Sequence, residues 1–143
     1  MVQLDPRNWL EILPAHECWQ LLAGSPVGRI AVVTADGPEV FPVNIAVDGE
    51  TIVFRTDPGS KLSAIASEPR VAIEADSIDL DAKDGWSVMA TGRVEELGGD
   101  ELVAAQSLGL EPWTIGAKAR WFRLRPLHIS GRVIGLRAVH GYA

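Results

Sequence analysis

The chain has 143 residues, 47% of them hydrophobic, and carries a formal net charge of -6. That length and apolar content predict one domain with a sizeable core, spanning residues 1–143. No apolar run reaches the length of a membrane span, and the acidic balance disfavours nucleic acid as a partner.

Residues 1–13 read as a loose N-terminal arm. They lack the basic start and apolar block of a signal peptide, which makes the cytoplasm the expected location. Pro14 to Ala23 has the apolar stripe of a helix, ended by Gly24-Ser25-Pro26. It contains Cys18, the only cysteine, so no internal disulfide can form. Gly28 to Thr34 reads as a strand, and Ala35-Asp36-Gly37-Pro38 as a hairpin turn. Glu39 to Val47 is the second strand. Pro42 inside it cannot donate to a ladder, which places this stretch at an edge or a bulge. Asp48-Gly49-Glu50 turns the chain into Thr51 to Thr56.

Where that strand ends, Asp57-Pro58-Gly59 turns into a short helix, Ser60 to Ser67, with Ser60 at its N-cap position and Pro69 as its stop. Lys61 falls in the first turn, where the helix dipole is already positive. Arg55 is close behind it. Two cations at a helix start in an acidic chain suit a bound anion, held by backbone N–H groups, the hydroxyls of Thr56 and Ser60, Arg55 and Lys61. The alternative is a capped helix with solvated charges, or charges paired with Asp57.

Arg70 to Ala75 reads as the fourth strand, Asp76 to Gly85 as an acidic surface loop, and Trp86 to Leu97 as the fifth strand. Gly98 to Gly109 reads as a helix and Glu111 to Ala117 as irregular. Arg120 to Ile129 and Gly131 to Val139 read as the last two strands. The hairpin order, without βαβ units, predicts a mainly β fold: six or seven antiparallel strands with two or three small helices, in a closed or split β-barrel.

No pattern identifies a catalytic residue. His16, His128 and His140 are far apart in sequence, with no second ligand at metal spacing. There is no serine elbow, and no histidine near Cys18 forms a nucleophile pair. Trp121, Arg123 and Arg125 alternate aromatic and basic residues along one strand face, a footprint too small for nucleic acid. Pro42-Val43-Asn44, beside Thr51 to Thr56, offers interrupted backbone and an amide to a ligand with a phosphate at one end and a planar heterocycle at the other.

Four segments in this order, Gly28–Ala31 (GRIA), Phe41–Asn44 (FPVN), Val53–Thr56 (VFRT) and Gly59–Leu62 (GSKL), resemble the pyridoxamine 5′-phosphate oxidase-like flavoproteins. Pro112-Trp113, Arg120-Trp121 and Arg125-Pro126 resemble its small actinobacterial members, and the likeness runs from about Glu17 to Val133. The resemblance implies the FMN-binding split-barrel fold and a homodimer with flavin sites at the subunit interface. It implies that Arg55, Thr56, Ser60 and Lys61 hold the FMN phosphate and that Val43 and Asn44 line the isoalloxazine ring. Trp113, Lys118 and Arg120 would complete the site from the partner subunit. The activity implied is FMN-dependent oxidation or reduction of a small molecule. A non-catalytic flavin- or haem-binding module and a deazaflavin-dependent reductase are the other readings. Two departures narrow it. Arg55 stands where nitroimidazole-resistance members carry histidine, and the longer C-terminal substrate motif of true pyridoxamine 5′-phosphate oxidases has no counterpart.

Overall fold

The computed structural model describes residues 2–57, 59–110 and 119–135, and of Ser60 the backbone alone. In chain order the elements are β1 (Gln3–Leu4), β2 (Glu11–Ile12), α1 (Ala15–Ala23), β3 (Val27–Thr34), β4 (Gly37–Asp48), β5 (Thr51–Thr56), α2 (Ser60–Ser67), β6 (Arg70–Asp79), β7 (Asp84–Glu96), α3 (Gly99–Gln106) and β8 (Arg120–Gly135). Two tight turns start the sheet. Thr34 pairs with Gly37, and Asp48 with Thr51. Gly37 and Gly49 sit at φ 116° and 61°, which a side chain would resist.

All the strand pairs are antiparallel, in an eight-stranded sheet ordered β1-β2-β8-β5-β4-β3-β6-β7. β7 pairs in turn with β8, so β3 to β8 close into a ring. This is the antiparallel barrel expected from the hairpin order. Alternate residues point inward, and Ile30, Ile52, Phe54, Ile73, Val88 and Leu124 are fully buried there. Phe54 and Phe122 stack in this core with ring centroids 5.6 Å apart. A second, smaller cluster lies outside the ring, where α3 covers Val53 with Leu97 and Ala105.

Three local expectations are corrected. The N-terminal arm is not loose. β1 pairs with β2 and β2 with β8, and the Leu13 amide donates to the Gly131 carbonyl at 3.0 Å. The buried Asp5 carboxylate anchors the arm, accepting from Arg7 Nη2 at 2.9 Å and from Arg132 Nη2 at 3.3 Å. Arg132 lies 127 residues from Asp5, so no local pattern announces that partner. The acidic stretch after Ala75 is a hairpin rather than a loop. β6 runs on to Asp79, which pairs with Asp84, and Asp79 Oδ1 accepts from the amides of Asp81 and Ala82 at 3.0 Å. Its carboxylate does turn work. The last two strands are one strand of 16 residues. Gly131 is no break. A Cβ there would lie 2.7 Å from Cys18 Sγ, so the glycine lets α1 and the arm close onto β8.

Arg7 and Arg132 hold the Asp5 carboxyl well below the usual carboxylate range. Its contribution is therefore full above the unfolded aspartate value of about 3.9 and is lost as pH falls toward the lowered folded value. Asp5→Asn is expected to be less stable than the parent in urea denaturation at pH 7, with the gap narrowing below about pH 4. A gap independent of pH would show that Asp5 acts through packing instead.

Candidate functional site: the fork between β4 and β5

Ile45 pairs with Phe54, and there the β4–β5 ladder stops. Continuing the register would set Asn44 against Arg55 and Val43 against Thr56, yet neither pair forms. β4 stays on β3 through Gly37 to Asn44, and β5 stays on β8 through Thr56. Each strand therefore turns an unpaired edge toward a fork. Pro42 lies in that edge, as its missing N–H requires. α2 begins just beyond the end of β5 and returns toward β4.

The fork brings together the residues expected from the sequence, on two sides of the sheet. Alternation puts Val43 and Thr56 on the inner side, and Asn44 and Arg55 on the outer. Val43 has its side chain in the core, so only its backbone faces the opening. Asn44 is half-buried. Thr56 is buried, and its hydroxyl donates to the Asp57 carbonyl at 3.3 Å. Ser60 is the first residue of α2 rather than its cap. Gly59 holds the cap position and supplies no side-chain acceptor, leaving first-turn N–H groups without a side-chain partner.

Two cations flank the opening, each seated on an aromatic ring. The Arg55 guanidinium carbon lies 5.7 Å from the Trp121 ring centroid, and Lys61 Nζ lies 5.1 Å from that of Phe41. Among the described residues neither forms an ion pair. By contrast Arg7, Arg29, Arg70, Arg120, Arg123, Arg125 and Arg132 are all salt-bridged. Burial lowers the Lys61 pKa, and the Asp57 carboxylate opposes that shift only in part. Arg120 pairs with Thr56 across the ladder, but its guanidinium is held by the Glu96 carboxylate, with Nε donating at 2.8 Å. Trp113 and Lys118 lie outside the described residues.

Phe41 and Trp121, on whose rings the two cations rest, were not among the residues expected to form the site. Trp121 supports Arg55 because β8 pairs it directly opposite, a register that no local motif encodes. The two described cavities, of about 350 and 650 Å³, are elsewhere, one on the outer sheet face and one beside α2. None of the expected site residues lines either of them. Among the described residues, no helix is long and apolar enough to cross a membrane. What the fork offers chemically is paired donors and two cations for an anion, with open backbone edges for a flat polar group.

A family described as "Pyridoxamine 5'-phosphate oxidase" matches residues 14–133. The chain is 34% identical to uncharacterized protein Rv0080 of Mycobacterium tuberculosis over 135 residues, covering 89% of this chain and 88% of that one. It is similar to an FAD binding protein from Mycobacterium smegmatis at 34% identity and a TM-score of 0.73, covering 87% of this chain and 98% of that one. It shares its fold with a heme binding protein from Mycobacterium smegmatis at 21% identity and a TM-score of 0.71, covering 90% of this chain and 61% of that one.

The seat of Lys61 has a measurable consequence. In an NMR titration of its side chain, Lys61 is expected to lose its proton below the ordinary lysine value of about 10.4. A lysine that titrates at or above that value would mean that its ammonium is solvated rather than seated over Phe41.

Proposed function

Because the chain belongs to the pyridoxamine 5′-phosphate oxidase family, we propose that it is an FMN-dependent oxidoreductase acting on a small molecule. The observation that carries this reading is a pair of cations that form no ion pair among the described residues, Arg55 and Lys61, on either side of the β4–β5 fork. In a chain that ion-pairs most of its arginines, two cations left over beside open backbone and a helix start fit a phosphate.

In this reading Arg55 and Lys61 hold the FMN phosphate, with the Thr56 hydroxyl and the first-turn amides at Ser60 and Lys61. The open β4 edge at Val43 and Asn44 lies along the isoalloxazine. The flavin supplies the hydride chemistry when bound. The residues of this chain bind and orient it, and Trp121 and Phe41 keep the cations in place. Arg120, held by Glu96, flanks the opening. The working form is a homodimer in the cytoplasm, in which Trp113 and Lys118 of the second copy complete the site.

The FAD binding relative makes FAD the rival cofactor. A terminal phosphate carries close to two charges on one group, whereas the pyrophosphate bridge of FAD spreads a similar charge over two phosphates, so two cations at one opening suit the former. Charge-assisted hydrogen bonds are worth about 1.5–3 kcal/mol each. Arg55→Ala and Lys61→Ala should therefore each weaken FMN binding roughly tenfold or more, at 1.4 kcal/mol per decade. Riboflavin should bind the parent less well than FMN and be nearly indifferent to either change, as fluorescence titration would record. Equal binding of riboflavin and FMN, or equal losses for both, would remove the phosphate assignment. FAD binding tighter than FMN would transfer the site to the dinucleotide, and a Soret band in the purified protein would replace flavin with haem.

A further inference from the structure

One arginine on the outer side of the sheet serves two carboxylates. Arg29 Nη1 donates to Glu74 Oε1 at 3.1 Å and to Asp76 Oδ2 at 2.9 Å. Glu74 lies directly opposite Arg29, and Asp76 follows two residues on, on the same side of β6. Both carboxylates are half-buried. Two carboxylates against one guanidinium leave one negative charge in excess. The residues facing the pair are Met89 and Ser87 on β7, and Pro42 and Val27 on β4 and β3, none of them charged. Farther off, Arg132 on β8 is taken by Asp5 and Arg70 on β6 by Glu68. His128 stands one row away, level with Ala72 and Thr91.

Neighbouring carboxylates disfavour each other's ionised form. Burial and the adjacent Asp76 carboxylate push the Glu74 pKa up, and Arg29 offsets this only in part. The pair therefore keeps a proton to higher pH than a lone glutamate would, and the two groups titrate together. The fork lies within electrostatic reach. Arg29 pairs with Pro42 and Val27 with Asn44, so the outer side of β4 at the fork is also the side on which Arg29 stands. Arg55, across the fork, shares that side. β6 is two strands from β4, about 10 Å at the usual strand spacing. That is about one Debye length at physiological salt, and half-buried charges are screened less than exposed ones.

We infer that Glu74 and Asp76, held by Arg29, are the proton-coupling site of the flavin pocket: the pair takes up one proton when the bound flavin gains negative charge. The inference rests on the flavin reading above. A flavin becomes more negative when it is reduced. The two electrons come from the molecule being oxidised and go to the flavin. One proton comes from solvent and bonds to a Glu74 carboxylate oxygen, where Asp76 can share it. Arg29 and the pair then carry no net charge, in place of one negative charge. New negative charge at the fork therefore does not face an ionised pair. By linkage, a proton on the pair favours reduction to the same extent. Glu74 and Asp76 touch neither flavin nor substrate in this account. They are positioning residues that act through charge.

Two measurements on the full chain test it. In an NMR titration of the parent, the Glu74 carboxyl carbon is expected to titrate above the ordinary glutamate value of about 4.3, and Asp76→Asn should return it toward that value. The midpoint potential of bound FMN, followed across pH with dithionite as reductant, reads the coupling. One extra proton per two electrons steepens its fall by about 30 mV per pH unit, the value of a tenfold change for a two-electron couple. The parent should show a span with that steeper fall. Glu74→Gln, which keeps the shape of the side chain and cannot titrate, should lack it, and Asp76→Asn should move it to lower pH. A purely structural role for Glu74 would leave the slope alone. A Glu74 that titrates at or below the ordinary value, or potentials of parent and both variants that run parallel, would overturn the inference and leave the flavin site standing. A parent that binds no FMN would overturn the proposed function, and the coupling with it.

Discussion

Closure of the ring through β7 and β8 is the constraint on which the rest depends. The two strands pair along almost their whole length, from Asp84 with Gly135 to Glu96 with Phe122. β8 also receives β5 at its start and β2 at its end. A closed sheet hides the edges that an open one exposes. β4 and β5 part after Ile45 and Phe54, and there the ring gives up ladder bonds. The fork therefore follows from the topology, and it lies where backbone groups are left without a neighbouring strand.

Charge is distributed to the same end. Most of the arginines are tied to carboxylates, and the exposed pairs among them contribute little stability. Their effect is to leave few cations without an ion pair among the described residues, Arg55 and Lys61 at the fork among them. Arg55 and Lys61 rest on aromatic faces, which attract a cation without neutralising it. A carboxylate in either place would have to be displaced before an anion could bind. In the proposed reading, Trp121 and Phe41 thus preorganise the site at low cost to its charge.

Much of this was legible in the sequence. The Asp-Gly and Gly-Glu turns, the proline in β4, and the strand-turn-helix from Ile52 to Leu62 are local features, and local chemistry decides them. Ser60 missed its assigned position by one residue because Gly59 caps the helix through its backbone. The β2–β8 pair, the single long β8 and the Glu96 clamp on Arg120 were not legible, because each depends on partners distant in sequence. The seat of Arg55 on Trp121 belongs to the same class. A motif names the cation, but the register names what holds it.

The central claim, that two cations at the fork grip a terminal phosphate, is tested most directly on the phosphate itself. Phosphorus NMR of FMN bound to the protein, followed across pH, reads the second ionisation of that group, which lies near pH 6 for a free phosphate monoester. Arg55 and Lys61 favour the dianion, so the account predicts that bound FMN titrates well below that value. A bound phosphate that still titrates near pH 6 would place it in solvent, away from both cations, and contradict the account.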